Sequence, residues 1–424
     1  MTQRSYDTHK WRNWTVLAIA FLVVFFHRYS TGVVADDLIR DMGLTGTQVS
    51  NLASMYFYAY ALMQIPSGLL SDFVGPKRTT MAGMLLAGLG AILFGLAPGV
   101  YAAYGARLLV GLGVSVVFIS LLKVQSLWFA PTRYATMTGM ASVVGNVGGI
   151  MATTPLALLV LAVGWRNSFV FIGAGSLLLA VVIWTLVVDR PEHVGFASRG
   201  TDGDRPEFGL LRSLKMVASV RGTWVNFIVV AGLMSGVMSF SSIWGVPYLM
   251  QVYGMDKALA SRYILLLTLG ILVGSALVGW LADKLKQTRV LIIAGSGLLT
   301  SFWFYVVVLA AASPPMWLLG PLYFVAGLTG IVFMLCFANA KAVNHPQLSG
   351  TATGVVNIAG FMTTAVANVL IGWRLDSLWD GTIVDGVRYY GQSGFQQGLL
   401  ILLLFSGIAF VASFALREPS VSKT

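Results

Sequence analysis

Three cations and a histidine stand in stretches otherwise fit for lipid: His27 and Arg28 in "FFHRYSTGVV", Arg107 in "YGARLLVGLG" and Lys123 in "ISLLKVQSLWF". An arginine in hydrocarbon is costly, so it faces a cavity or a partner. Its planar fork can hold an oxyanion through two parallel hydrogen bonds. Histidine, with an ordinary pKa of about 6.5, is suited to exchange protons at physiological pH. Arg28 and His27 together therefore offer anion binding with a nearby proton carrier. The competing use of Arg28 is a structural ion pair with Asp36 or Asp37. Arg107, at similar depth, is assigned to helix packing and an ion pair with one of those aspartates, which leaves Arg28 for a ligand. Lys123 either snorkels to the inner interface or forms an inner rung of an anion pathway. Tyr56, Trp244 and Asn357 could complete a site by hydrogen bonding, although interhelical packing is the commoner use of such residues. Trp244, Tyr248 and the break at Pro247 suggest either a gate or an aromatic belt.

The elements that hold these residues must be membrane helices. Of 424 residues, 57% are hydrophobic and only 10% charged, against about 25% charged in a soluble domain. A net charge of +11 would suggest nucleic acid in a soluble protein. Here the basic residues lie mainly in short loops, and no nucleic-acid partner is expected. The single cysteine, Cys336, leaves no disulfide framework and no multi-cysteine metal site. Neither a Gly-x-x-x-x-Gly-Lys-Ser/Thr phosphate loop nor a paired-histidine motif is present. The sequence thus predicts no cofactor, no metal, no enzymatic activity and no ATP-driven pumping. The basic start "MTQRSYDTHKWRNW" lacks a small-residue cleavage site, so the first apolar run reads as a mature helix.

A membrane helix needs about 20 apolar residues. Such runs fall at 14–35, 49–71, 79–98, 100–126, 136–162, 165–188, 222–246, 258–282, 290–311, 315–339, 349–373 and 395–416. The predicted fold is therefore an all-α membrane protein with twelve transmembrane helices. Residues 1–188 form an N-terminal six-helix bundle, 189–221 a polar cytoplasmic linker, and 222–424 a C-terminal six-helix bundle. Lys and Arg are about threefold more frequent on the side that holds the linker, which places both termini in the cytoplasm. Counted from Trp14 as the inner interface, Arg28 lies roughly 21 Å along a helix, past the middle of a hydrocarbon core about 30 Å thick. No acidic residue falls in the interior of a predicted helix, so the cavity should be electropositive.

The two halves repeat each other. "GLLSDFVGPKR" after the second run matches "GWLADKLKQTR" after the eighth, so that Gly68, Asp72 and Arg78 recur at one offset as Gly279, Asp283 and Arg289. "APTRYATMTG" and "HPQLSGTATG" repeat in the same sense, aligning Pro131 with Pro346 and Gly139 with Gly354. Parallel repeats with a midplane site at their interface are one scheme that transporters use. Asp72, close to Lys77 and Arg78, can pair with those cations and cap the N-terminus of a neighbouring helix. Gly68 allows close helix approach. These loops are expected to latch the two bundles on the inner side.

"GLLSDFVGPKR" resembles the loop signature Gly-x-x-x-Asp-x-x-Gly-x-(Arg/Lys)-Arg of the major facilitator superfamily, and "RLLVGLG" is similar to that family's Arg-x-x-x-Gly-x-Gly pattern. In the C-terminal copy Gln287 stands where the second glycine would be. The resemblance covers essentially the whole chain. It implies two pseudo-symmetric bundles, a central cavity lined chiefly by the first, fourth, seventh and tenth helices, and rocker-like alternating access. More narrowly, Arg28 followed by "YSTGVVADDL", with "SLWFAP" at 126–131, resembles organic-anion:cation symporters and organophosphate antiporters. Both use the first-helix arginine to bind an anionic substrate, which implies that role for Arg28. The antiporters' second arginine is absent from the seventh run, which argues against a dianionic sugar phosphate. The symporters often carry Asp before the arginine, and here it is His27.

The resulting expectation is a monomeric secondary transporter of a small organic anion, a monocarboxylate or an amino-acid-like carboxylate, coupled to protons. Its site comprises Arg28, His27, Tyr56, Lys123, Trp244 and Asn357. Asp36, Asp37 and Arg107 serve ion pairing or proton coupling, and Gly68, Asp72, Lys77, Arg78, Gly279, Asp283 and Arg289 form gating loops. The expected location is the bilayer of a bacterial inner membrane. An efflux carrier and a non-transporting anion sensor of the same fold are the alternatives.

Overall fold

The computed structural model describes residues 3–130, 133–196, 210–285, 287–345 and 348–417. Pro131 and Pro346, and the side chains of Asp72 and Asp283, lie outside the described residues. Among the described residues the chain is built almost wholly of helices, and ten runs are long and apolar enough to cross a membrane. The difference from the twelve expected lies in two places. The run at 49–71 is split into Gly46–Leu62 and Pro66–Phe73, because Pro66 has no amide hydrogen to continue the first helix and sits instead at the start of the second. The runs at 136–162 and 165–188 count as one stretch, Thr136–Leu186, which Gly164 interrupts with φ 80° and ψ 158°.

The described segments form two compact units, Met1–Ser30 with Tyr58–Asp204, and Thr31–Phe57 with Arg205–Thr424. In the first unit the helix Pro76–Gly95 is central. Its Gly83 lies against the backbone of Gly113, and its Gly88 against the carbonyl of Gly173, so a methyl at either position would strike main chain. Small residues let membrane helices approach closely, where van der Waals packing replaces the missing hydrophobic drive. Phe94 of the same helix is fully buried, 4.7 Å edge-on from Phe169.

In the second unit the long helix from Arg221 to Tyr253 is widened by a π-helical turn at Phe240–Trp244. Such turns are frequent at functional sites because they leave backbone groups outside the regular ladder. Phe240 packs edge-on against Trp303 at 5.4 Å, and Tyr323 lies 5.5 Å away. The Trp303 indole donates to the Gly236 carbonyl at 3.0 Å.

One element departs from the helical expectation. Ile383–Val384 pairs antiparallel with Val387–Arg388 around Asp385 (φ 51°) and Gly386 (φ 78°). Both turn residues take the positive φ that a tight hairpin turn demands.

Candidate functional site

Arg28 is 5% exposed, with its guanidinium carbon 4.5 Å from the Phe25 ring centroid and 5.3 Å from that of Tyr60. Phe25 shares its helix face because residues three apart are neighbours. Aromatic faces stabilise a guanidinium by about 0.5–2 kcal/mol while leaving its charge intact.

His27, about 100° round the helix from Arg28, is fully buried. Among the described residues neither ring nitrogen has a hydrogen-bond partner. Its carbonyl oxygen accepts a 3.0 Å hydrogen bond from Arg107 Nη2. Arg107 thus fastens its helix to the backbone at His27, and its guanidinium carbon lies 5.6 Å from the Phe94 ring. This contact is of the helix-packing kind expected of Arg107. Asp37 forms its ion pair with Lys257.

That ion pair belongs to a polar cluster in the second unit, at the end of the helices opposite the repeated loops. Asp376 is its centre. The carboxylate accepts hydrogen bonds from the Gly46 and Thr47 amides at 2.9 and 2.7 Å, the Thr47 hydroxyl at 2.6 Å, the Tyr390 hydroxyl at 2.9 Å and Arg388 at 3.3 Å. It therefore caps the N-terminus of Gly46–Leu62, where negative charge is favoured. Gly372, one turn earlier on the helix Ser349–Ser377, lies against the Gly46 carbonyl and Ser50. Arg40 Nε donates to the Asp385 carbonyl at 2.9 Å, so the hairpin joins the cluster. Asp36 is 7% exposed. Burial pushes its carboxyl up to about 6, against the pull of Lys257 and Arg40.

Nearer the middle of the second unit, Gly32 lies against the Ser242 carbonyl, and the Ser54 hydroxyl donates to the Ala365 carbonyl at 2.9 Å. Tyr56 is fully buried beside Phe57. Trp244 is 1% exposed and Tyr248 fully buried, so neither forms an interfacial belt. The Trp244 indole hydrogen points to the Asn368 carbonyl at 3.4 Å, and the Tyr248 hydroxyl donates to Ala312 at 2.9 Å. Neither polar atom of the buried Asn368 side chain is hydrogen-bonded among the described residues. Asn357 is half-buried.

At the repeated loops, Gly75 (φ 93°) precedes the helix Pro76–Gly95, and the carboxylate beside it is that of Asp189. Asp189 Oδ1 accepts the Lys77 amide at 2.6 Å. The described cap of this helix therefore comes from Asp189, a residue that the motif does not include. Trp128 is fully buried, and its indole donates to the Asp189 carbonyl at 3.1 Å. Lys123 and Arg78 line a cavity of about 570 Å³ with Lys77, Asp189 and Arg190. In the second copy of the loop, Arg289 Nη2 donates to the Phe414 carbonyl at 2.8 Å, and no atom would meet a methyl at Gly279. Gly68 is likewise open.

Sequence reasoning missed Asp376, Asp189 and Lys257. The only available signal was an acidic or basic residue at the end of an apolar run.

The model of the Major Facilitator Superfamily matches residues 17–368. The chain belongs to that superfamily of membrane transporters and is not an enzyme. It is 25% identical to the probable sulfoacetate transporter SauU of Cupriavidus necator, over 85% of this chain and 86% of that one. It is 22% identical to the membrane sensor protein UhpC of Escherichia coli, over 87% and 86%. A bacterial homolog of the human lysosomal transporter Spinster shares its fold, with a TM-score of 0.77, 17% identity, and coverage of 98% of this chain and 99% of the other.

Proposed function

We propose that this protein is a secondary active transporter of a small organic anion, a monocarboxylate or amino-acid-like carboxylate, moved by alternating access and coupled to protons. Arg28 anchors the anion and His27 carries the proton. The observation that supports this reading is a buried guanidinium in the first span, held between the faces of Phe25 and Tyr60. Similarity to a protein named as a probable sulfoacetate transporter supports an oxyanion substrate.

On this reading the chain crosses the membrane twelve times, in bundles of residues 1–188 and 222–424 joined by 189–221. Both termini lie in the cytoplasm of a bacterial cell, and the protein works as a monomer in the inner membrane. The interrupted helix at Met63–Ile65 and the kink at Gly164 are compatible with two crossings beyond the ten that a length count gives. The Asp376 cluster is the outer gate. Its hydrogen bonds must release in each cycle. The repeated loops with Asp72 and Asp283 form the inner latch.

Uptake of labelled carboxylates and sulfonates into proteoliposomes, with and without an inward proton gradient, tests the proposal. Gradient-stimulated uptake supports it, and binding without any uptake refutes it. That second result would favour an anion sensor, the reading that similarity to UhpC supports.

A further inference from the structure

The basic cavity in the first unit does not include Arg28 or His27, though it takes in Lys123 and the loop cations Lys77 and Arg78. It holds about 570 Å³ and is lined by Lys77, Arg78, Lys123, Arg190 and His193, with Asp189 as the carboxylate described among them. Asp189 is already committed to the Lys77 amide at 2.6 Å. The described lining is therefore rich in basic side chains, which attract an anion. Its rim is apolar and outward-facing: Phe73 is 77% exposed, Trp184 50% and Val74 44%. The Lys77 ammonium lies 4.9 Å from the Trp184 ring centroid, so charge and apolar surface meet at one edge.

We propose that this cavity binds the headgroup of an anionic phospholipid, with the phosphate among the cations and the acyl chains along Phe73, Val74 and Trp184. A site for a freely soluble anion would need a polar mouth, whereas this mouth is lined by large exposed hydrophobic side chains. The volume exceeds that of a bare phosphate and admits a glycerol-bearing diester. Basic pockets between membrane helices on the cytoplasmic side are suited to such headgroups. The lipid would brace residues 73–78 against 187–194, the two segments that Asp189 already joins.

The test uses the purified full chain in detergent. It is titrated with dioleoyl phosphatidylglycerol, dioleoyl phosphatidylcholine or inorganic phosphate, and bound adducts are counted by native mass spectrometry. Phosphatidylglycerol should be retained preferentially. The Lys77→Gln, Arg190→Gln double variant should bind it about 30-fold more weakly, from about 1 kcal/mol per basic residue. A second arm needs no charge variant, should the double variant fail to fold. Brominated phosphatidylglycerol should quench the fluorescence that Trp184→Phe removes more strongly than brominated phosphatidylcholine does. Equal retention of the two lipids, or equal quenching, overturns the proposal. Displacement of phosphatidylglycerol by millimolar inorganic phosphate would mark a free-anion site and overturn the lipid assignment.

Discussion

If the Asp376 cluster is the outer gate proposed above, Asp376→Asn should open it. The asparagine keeps the shape but replaces one oxygen by an amino group that can only donate. In the native protein Asp376 Oδ2 accepts the Thr47 amide and hydroxyl, and Oδ1 accepts Gly46, Tyr390 and Arg388. If the amino group takes the Oδ2 position, the Thr47 hydroxyl can rotate to accept, but the Thr47 amide loses its acceptor. One charge-assisted hydrogen bond is worth about 1.5–3 kcal/mol, and the negative charge at a helix N-terminus about 0.3–1 kcal/mol. The carboxylate is partly exposed, with 16% of the side chain accessible, so solvent screening trims the sum. A shift of about 2 kcal/mol remains, or roughly 30-fold in the closed-to-open ratio. Spin labels at Tyr101 and Trp317, both strongly exposed, report on the separation of the outer ends by pulsed electron resonance. The variant should populate longer distances than the parent. An unchanged distance distribution together with unchanged uptake would refute the gate.

Three further outcomes follow from the same contacts. Asp36, raised to about 6 from 3.8, binds a proton more readily folded than unfolded. Stability should therefore rise as pH falls through about 6 toward 3.8, and Asp36→Asn should raise the unfolding temperature at pH 7.5 and flatten that dependence. Asp189→Ala removes the cap at Lys77 and should cost about 1 kcal/mol in thermal or denaturant unfolding; no measurable loss would deny the cap its role. His27→Gln should shift the pH optimum of uptake or uncouple it from proton entry, and intact proton-coupled uptake would assign the proton to another carrier.

Which parts of this arrangement were legible in the chain depends on the physics behind each. Apolar run length reports membrane helices because the bilayer penalises any interruption, so the spans are recovered to within a few residues at most positions. The breaks were less visible, since Pro66 and Gly164 split or bend runs whose hydropathy continues across them. The hairpin at 383–388 did carry a local signal, Asp-Gly between β-branched residues, which went unused. Burial of Arg28 follows from its depth alone. The partner of Arg107 does not, because the acceptor is a backbone carbonyl that every residue possesses. Asp37 with Lys257, and Asp376 with Gly46 and Thr47, join residues hundreds of positions apart, and nothing local marks such pairs.

The central claim is that Arg28 holds the transported anion, and affinity measured on the Arg28 series tests it most directly. A panel of carboxylates and sulfonates is titrated by thermal shift and calorimetry against the parent, Arg28→Lys and Arg28→Ala. Lysine keeps the charge but loses the two-pronged geometry, so affinity should fall by roughly 10- to 150-fold, the equivalent of about 1.5–3 kcal/mol. Alanine should abolish binding and uptake, with the protein still inserted and monodisperse. Near-parental affinity and uptake in folded Arg28→Ala would contradict the account and make Arg28 a structural residue.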